Sequence, residues 1–123
     1  LIMDELRIKQ VIANLLLNAI KNTPPRGKIT ISLEKNDDYA KFSIKDTGIG
    51  LTQKEMNILF TQFGKIERED QNLDFIDIQG SGLGLFISKA IIDLHGGQIW
   101  AESEGRNKGA KFIVKLPLTD QQN

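Results

Sequence analysis

Apolar positions between residues 4 and 22 recur at helical spacing. Ile8, Val11, Ile12, Leu15, Leu16 and Ala19 follow the i, i+3, i+4, i+7 rule and predict an amphipathic helix. A second stripe on the same helix is polar. Arg7, Gln10, Asn14, Asn18 and Lys21 fall within about 80° of one another at about 100° per residue. Leu17 and Ile20 lie outside both stripes, so much of the circumference is apolar. "TPPRG" (23–27) stops the helix, because proline bars its continuation.

The period then changes to two. "KITISLEK" (28–35) alternates as a strand, "NDD" turns the chain, and 39–46 reads as the hairpin partner. In that second strand Ala40, Phe42 and Ile44 share one face, and Tyr39, Lys41, Ser43 and Lys45 share the other. Asp46 continues the apolar row and is expected to point toward the core. An unpaired buried carboxylate is costly. It must meet a partner, either a turn that it caps or a ligand.

"LTQKEM" starts a second helix. Thr52 and Glu55 match a capping box, with Leu51 and Met56 placed as a hydrophobic staple, and the helix is expected to run to about residue 60. Residues 63–79 are charged and lack sustained periodicity, which fits a lid or binding segment. "GSGLGL" opens a third helix with Leu83, Ile87, Ala90, Ile91 and Leu94 expected on its buried face, and Gly96 and Gly97 suit its C-terminal cap. Strands at 98–104 and 110–116, joined by "GRNKG", close the chain. Strand pairs separated by helices predict an α+β two-layer sandwich, a sheet covered on one face by helices.

The 123 residues make one ordinary domain, read as a piece of something longer. There are no cysteines, which excludes a disulfide scaffold and thiolate zinc sites. Sixteen basic residues balance sixteen acidic ones, a poor charge for wrapping nucleic acid. No apolar run approaches the ~20 residues of a membrane span, and no secretory signal is visible. Neither nucleic acid nor a membrane is an expected partner of this domain.

Three places carry candidate chemistry. Gly80, Gly82 and Gly84 precede helical periodicity, so they make either a hinge or an anion-binding helix start. Their spacing is neither a dinucleotide fingerprint nor a Walker loop. Asn14, Asn18 and Lys21 are either a solvated face or the lining of a cavity, where an amide oxygen suits Mg²⁺ and a lysine suits phosphate. In "DTGIG", Asp46 can only accept hydrogen bonds when ionised, so it fits a ligand that presents a donor, and Gly48 and Gly50 let the backbone pass close to one. His95, the only histidine, is expected to cap a helix end.

"NLLLNAIKNTP", "DTGIG", "FTQF" and "GSGLGL" occur in that order, and their spacing resembles the N, G1, F and G2 boxes of histidine-kinase ATP-binding domains. "LHGGQIWAESEG" and "GAKFIVKLP" resemble the closing strands of that family. The resemblance covers nearly the whole chain and implies a Bergerat fold with a mixed sheet. It implies one domain over residues 1–123, a flexible ATP lid at about 63–80 and a tail at 118–123. By resemblance, Asn18 is the Mg²⁺ ligand, Asn14 and Lys21 contact phosphates, and Asp46 receives the adenine amino group. Gly48 and Gly50 shape that pocket, while Gly80, Gly82, Leu83 and Gly84 match the lid-to-helix turn around the phosphates.

The implied function is that of the catalytic domain of a sensor histidine kinase. It holds Mg-ATP and donates the γ-phosphate to a histidine on an upstream dimerisation domain of the same parent, with a response regulator receiver domain as the next partner. That acceptor histidine is not in this chain, so the domain alone is not expected to autophosphorylate, and no catalytic side chain is assigned. A cytoplasmic location is expected, whether or not the parent is membrane-anchored. Asn22 and Gln79 depart from the family, which usually has an aromatic and a glycine there. The alternative is a Bergerat-fold ATPase or a nucleotide-sensing module without kinase activity. Hydrolytic members carry a glutamate base on the first helix near the Mg-binding Asn, and none lies between Asn14 and Asn18.

Overall fold

The structure, a computed structural model, describes residues 4–61 and 84–118. Helix α1 (Glu5–Asn22) leads into strands β1 (Ile29–Lys35) and β2 (Tyr39–Asp46). Helix α2 (Gln53–Ile58), helix α3 (Gly84–Leu94) and strands β3 (Gln98–Glu102) and β4 (Ala110–Pro117) complete it. The sheet order is β1-β2-β4-β3. The α+β two-layer class is as expected. The resemblance implied a mixed sheet, and here the finding differs: all three described pairings are antiparallel, because each links a hairpin or returns the chain between helices.

The elements start and stop where local chemistry dictates. Asp4 caps α1, its side chain accepting from the Arg7 N–H. The capping box of α2 is present in both directions: Thr52 accepts from the Glu55 N–H, and Glu55 from the Thr52 N–H. Leu51 and Met56, the two staple positions, both join the core. Gly96 ends α3 at φ 72°, the left-handed conformation that glycine tolerates. His95 caps as expected, and it does more. One ring nitrogen lies 2.8 Å from the Ile91 carbonyl, and the other accepts from the Asp4 N–H at 3.1 Å. The imidazole therefore ties the end of α3 to the start of α1, and the two contacts fit the neutral tautomer protonated at Nδ1.

Register sets which side chains meet. Phe42 faces Leu33 and Val114, Ile44 faces Ile31 and Phe112, and Asp46 faces Ile29 and Ala110. The helices pack on this face. Val11, Leu15 and Ala19 of α1 join Ile91 and Ile92 of α3, Ile44, Phe112, Val114 and Ile99 in one core. Phe60 meets Phe112 edge to face, ring centroids 6.3 Å apart.

α3 does not bury the face that its spacing predicts. Leu94 is 83% exposed, and Ala90 and Ile87 are exposed as well, while Ser88, Ile91 and Ile92 are buried. The real face is rotated by roughly a third of a turn from the expected one. The cause is visible in the composition of the helix. Leu85, Phe86, Ile87, Ile91, Ile92 and Leu94 surround it almost completely, so periodicity cannot choose a side. A polar contact chooses: Asn14 of α1 donates to the buried Ser88 hydroxyl at 3.2 Å.

This orientation predicts unequal costs for two neighbouring substitutions. Ile92→Ala should lose about 2–5 kcal/mol of stability, as buried large-to-small changes do. Leu94→Ala should stay within about 0.5 kcal/mol of wild type. Urea denaturation of both variants checks this, and equal losses would reverse the assignment of the face.

Candidate functional site

Asp46 is where the sequence parity puts it. It ends β2 on the helix-covered face and is 3% exposed. Both readings left open by the sequence bear on it. The carboxylate does cap a turn, accepting from the Gly48 N–H at 2.8 Å, with the Ala110 N–H as a second donor. Burial nevertheless dominates and raises its pKa above the ordinary 3.8, the two backbone donors pulling the other way. A carboxylate has about four acceptor sites, so two donors do not exhaust it.

The glycines after Asp46 are there for space. A Cβ on Gly48 would collide with the backbone carbonyl of Asn22, at the end of α1. Gly50 has φ 69°, and a Cβ there would run into the Gly105 carbonyl. The loop is thus pressed between the last turn of α1 and the β3–β4 turn. The Ile49 N–H donates to the Asn22 carbonyl at 3.1 Å.

The polar stripe of α1 is solvated at its start, where Arg7 and Gln10 are exposed, but not further along. Asn14, Asn18 and Lys21 are all half-buried. Asn14 donates to the Gly84 carbonyl at 3.3 Å as well as to Ser88, so the stripe lies along α3 and meets its first turn. Asn18 and Lys21 follow one and two turns further on, toward the end of α1 that abuts Gly48. The structure thus brings Asn14 to Gly84, and sets Gly48, two residues after Asp46, against Asn22 in the last turn of α1, beside Lys21. Gly80, Gly82 and Leu83 lie outside the described residues, as do the expected lid, Phe63, Gln79 and most of the tail.

With that geometry in place the comparisons with known proteins are specific. The family profile of histidine kinase-, DNA gyrase B- and HSP90-like ATPases matches residues 3–120. The chain belongs to this family. It is 35% identical over 122 residues to the sensor histidine kinase WalK of Bacillus subtilis, covering 97% of this chain and 19% of WalK. It is 40% identical over 111 residues to the sensor protein SrrB of Staphylococcus aureus, covering 90% of this chain and 18% of that one. Among solved structures, the catalytic domain of histidine kinase ThkA superposes with a TM-score of 0.77 at 34% identity, covering 96% of this chain and 71% of that one. Full-length ShkA in complex with AMPPNP superposes with a TM-score of 0.72 at 28% identity, covering 90% of this chain and 21% of that one. The chain thus spans about a fifth of the length of its sensor-kinase relatives.

Sequence reasoning missed what stands behind the glycine loop. Ser103, Arg106 and Asn107 all hydrogen-bond it, and "GRNKG" reads only as a connection between strands. No local signal marks these residues. Only the pairing of Asp46 with Ala110 places the β3–β4 turn beside the end of β2.

Burial of Asp46 gives a pH dependence with a definite sign. The folded domain holds this proton more tightly than the unfolded chain. Its contribution is therefore fully present below about pH 3.8 and is lost as pH rises through the raised folded value. Burial thus works increasingly against the ionised form as pH rises. Asp46→Asn keeps an oxygen for the Gly48 N–H and removes the charge, so it should raise the urea midpoint at pH 7. The gain should shrink as pH falls toward 4. A lower midpoint for Asp46→Asn at pH 7 would mean that the carboxylate is structural.

Proposed function

We propose that this domain binds Mg-ATP as the catalytic domain of a sensor histidine kinase. It presents the γ-phosphate to a histidine on a separate dimerisation domain of its parent, with a response regulator next in line. We place the domain in the cytoplasm; no described helix is long and apolar enough to cross a membrane. One observation carries the reading: an ionisable carboxylate is buried at the end of a core strand, beside a loop packed too tightly for any side chain at Gly48. The family and the sensor-kinase relatives support the same reading.

The site residues divide by chemistry. Asp46 accepts from the adenine amino group, and Gly48 and Gly50, closed on the carbonyls of Asn22 and Gly105, hold the loop that borders the base. Lys21 offsets phosphate charge, and Asn18 offers its amide oxygen to Mg²⁺. Asn14 holds the first turn of α3 against α1 at Gly84, and we assign Gly84, with Gly80, Gly82 and Leu83, to the phosphates. Among the described residues no cluster of three or more His, Cys, Asp or Glu is placed to hold a metal. The ion is thus expected to arrive with the nucleotide, where it neutralises phosphate charge. The work of this chain is positioning and charge neutralisation.

Titration separates the two ends of the nucleotide. Asn18→Ala or Lys21→Ala should weaken Mg-ATP far more than adenosine. Asp46→Ala should weaken ATP by at least about tenfold, as expected for a lost charged hydrogen bond, with little change for GTP. Guanine puts a carbonyl where adenine has its amine, and an unpaired buried polar group costs about 1–3 kcal/mol. Wild type should therefore prefer ATP over GTP by about five- to 150-fold. Calorimetry showing equal affinity for both nucleotides would defeat the assignment of Asp46.

The isolated chain should bind ATP without turning it over. Both ring nitrogens of His95 are engaged by backbone groups, so it is no free nucleophile. No carboxylate lies between Asn14 and Asn18 to activate water. Incubation with labelled ATP should give no stable phosphoprotein and no phosphate release above a no-protein control. Steady release would favour the hydrolytic branch of the family instead.

A further inference from the structure

Arg106 projects from the β3–β4 turn across to the far side of the glycine loop. One Nη donates to the Gly50 carbonyl at 3.2 Å, and the other donates to Glu55 Oε2 at 2.6 Å. The pair is well shielded, with side-chain exposures of 31% for Arg106 and 11% for Glu55. Glu55 is held from behind, since its other oxygen accepts from the Thr52 N–H in the capping box of α2. A planar guanidinium is suited to this double task, offering two donors in fixed geometry, and charge-assisted bonds of this length are the strong ones.

The contact is larger than a helix cap requires. The Asn107 N–H donates to the Ile49 carbonyl at 2.7 Å, and the Gly109 N–H to the Gly48 carbonyl at 3.1 Å. The Ser103 hydroxyl accepts from the Leu51 N–H and donates to the Gly109 carbonyl. Thus Arg106 closes a ladder that holds the loop carbonyl by carbonyl. It is also the only described side chain shown bonding both to that loop and to α2.

We propose that Arg106, held by Glu55, is a positioning residue for the base-binding loop. It fixes the carbonyl of Gly50, and with it the path of residues 47–50, so that the Asp46 carboxylate meets the base in one orientation. The proposal rests on the assignment of Asp46 to the base. It assigns no contact between Arg106 and nucleotide.

A positioning role at the base end has its own signature. Arg106→Met should weaken ATP and adenosine by the same factor, about tenfold, equivalent to about 1.4 kcal/mol. Lys21→Ala should weaken ATP alone. Arg106→Lys should not restore wild-type binding, because one ammonium cannot reproduce the planar two-pronged fork. Glu55→Gln combined with Arg106→Met should cost less than the sum of the two single changes. Thr52→Ala is the control: it removes the hydroxyl that caps α2 but leaves Arg106 on Gly50, so nucleotide affinity should hold.

Amide exchange at residues 49–51 of the empty domain gives a readout without ligand. It should accelerate in Arg106→Met and not in Thr52→Ala. Folded Arg106 variants that bind ATP and adenosine within twofold of wild type, with unchanged exchange at 49–51, would overturn the proposal. So would a loss confined to ATP. If wild type bound neither ligand, the nucleotide-binding reading itself would fall, an outcome visible before any variant is made.

Discussion

At the end of β2 an ionisable carboxyl group is packed between Ile29 of β1 and Ala110 of β4, on the face that the helices cover. Burial raises its pKa against the pull of two backbone donors, so the low-dielectric surroundings work against the ionised form. Such a group persists only where the surroundings hold it firmly. Two backbone N–H groups, from Gly48 and Ala110, supply part of its hydration. They can do so only while the loop after β2 keeps its path, so the site depends on that loop being fixed.

Fixing it requires segments far apart in sequence. Because Asp46 pairs with Ala110, β2 ends where β4 begins, and the turn before β4 must emerge against the loop after β2. The last turn of α1 closes the other side through the Asn22 carbonyl. α1 in turn is anchored to α3 at both ends of α3. His95 joins the end of α3 to the start of α1, and Asn14 joins α1 to the first turn of α3. Asn14, on the polar stripe, is therefore part of the helix packing itself. A substitution at Asn14 would disturb packing and site together.

Much of this is legible in the chain. The elements, the capping box, the glycine cap at Gly96 and the inward parity of Asp46 follow from local pattern, because each depends on residues within one turn or one strand. The face of α3 does not follow, since the helix is apolar nearly all round and the deciding contact comes from Asn14, 74 positions from Ser88. The exposure of Leu17 and Ile20 was legible only as a position outside both stripes. Ser103 and Arg106 were invisible for a related reason. A hydrogen bond from a turn to a loop about 50 residues earlier leaves no periodic trace, and only the register of β2 on β4 creates it.

The hydrogen-bonded brace also explains why the loop is rich in glycine and yet buried. Gly48 and Gly50 are both buried, and buried loops are uncommon because their backbone polar groups need partners. Here partners come from three sides. The Thr47 N–H reaches the Lys28 carbonyl, the Ile49 N–H reaches Asn22, and the β3–β4 turn takes the carbonyls of Gly48, Ile49 and, through Arg106, Gly50. Glycine lets the backbones approach closely enough for these bonds to form, at the cost of greater freedom in the unfolded chain. The bonds then remove that freedom in the folded one. Backbone closed on backbone in this way fixes the path of the loop after Asp46, which a side chain at position 48 or 50 would not allow.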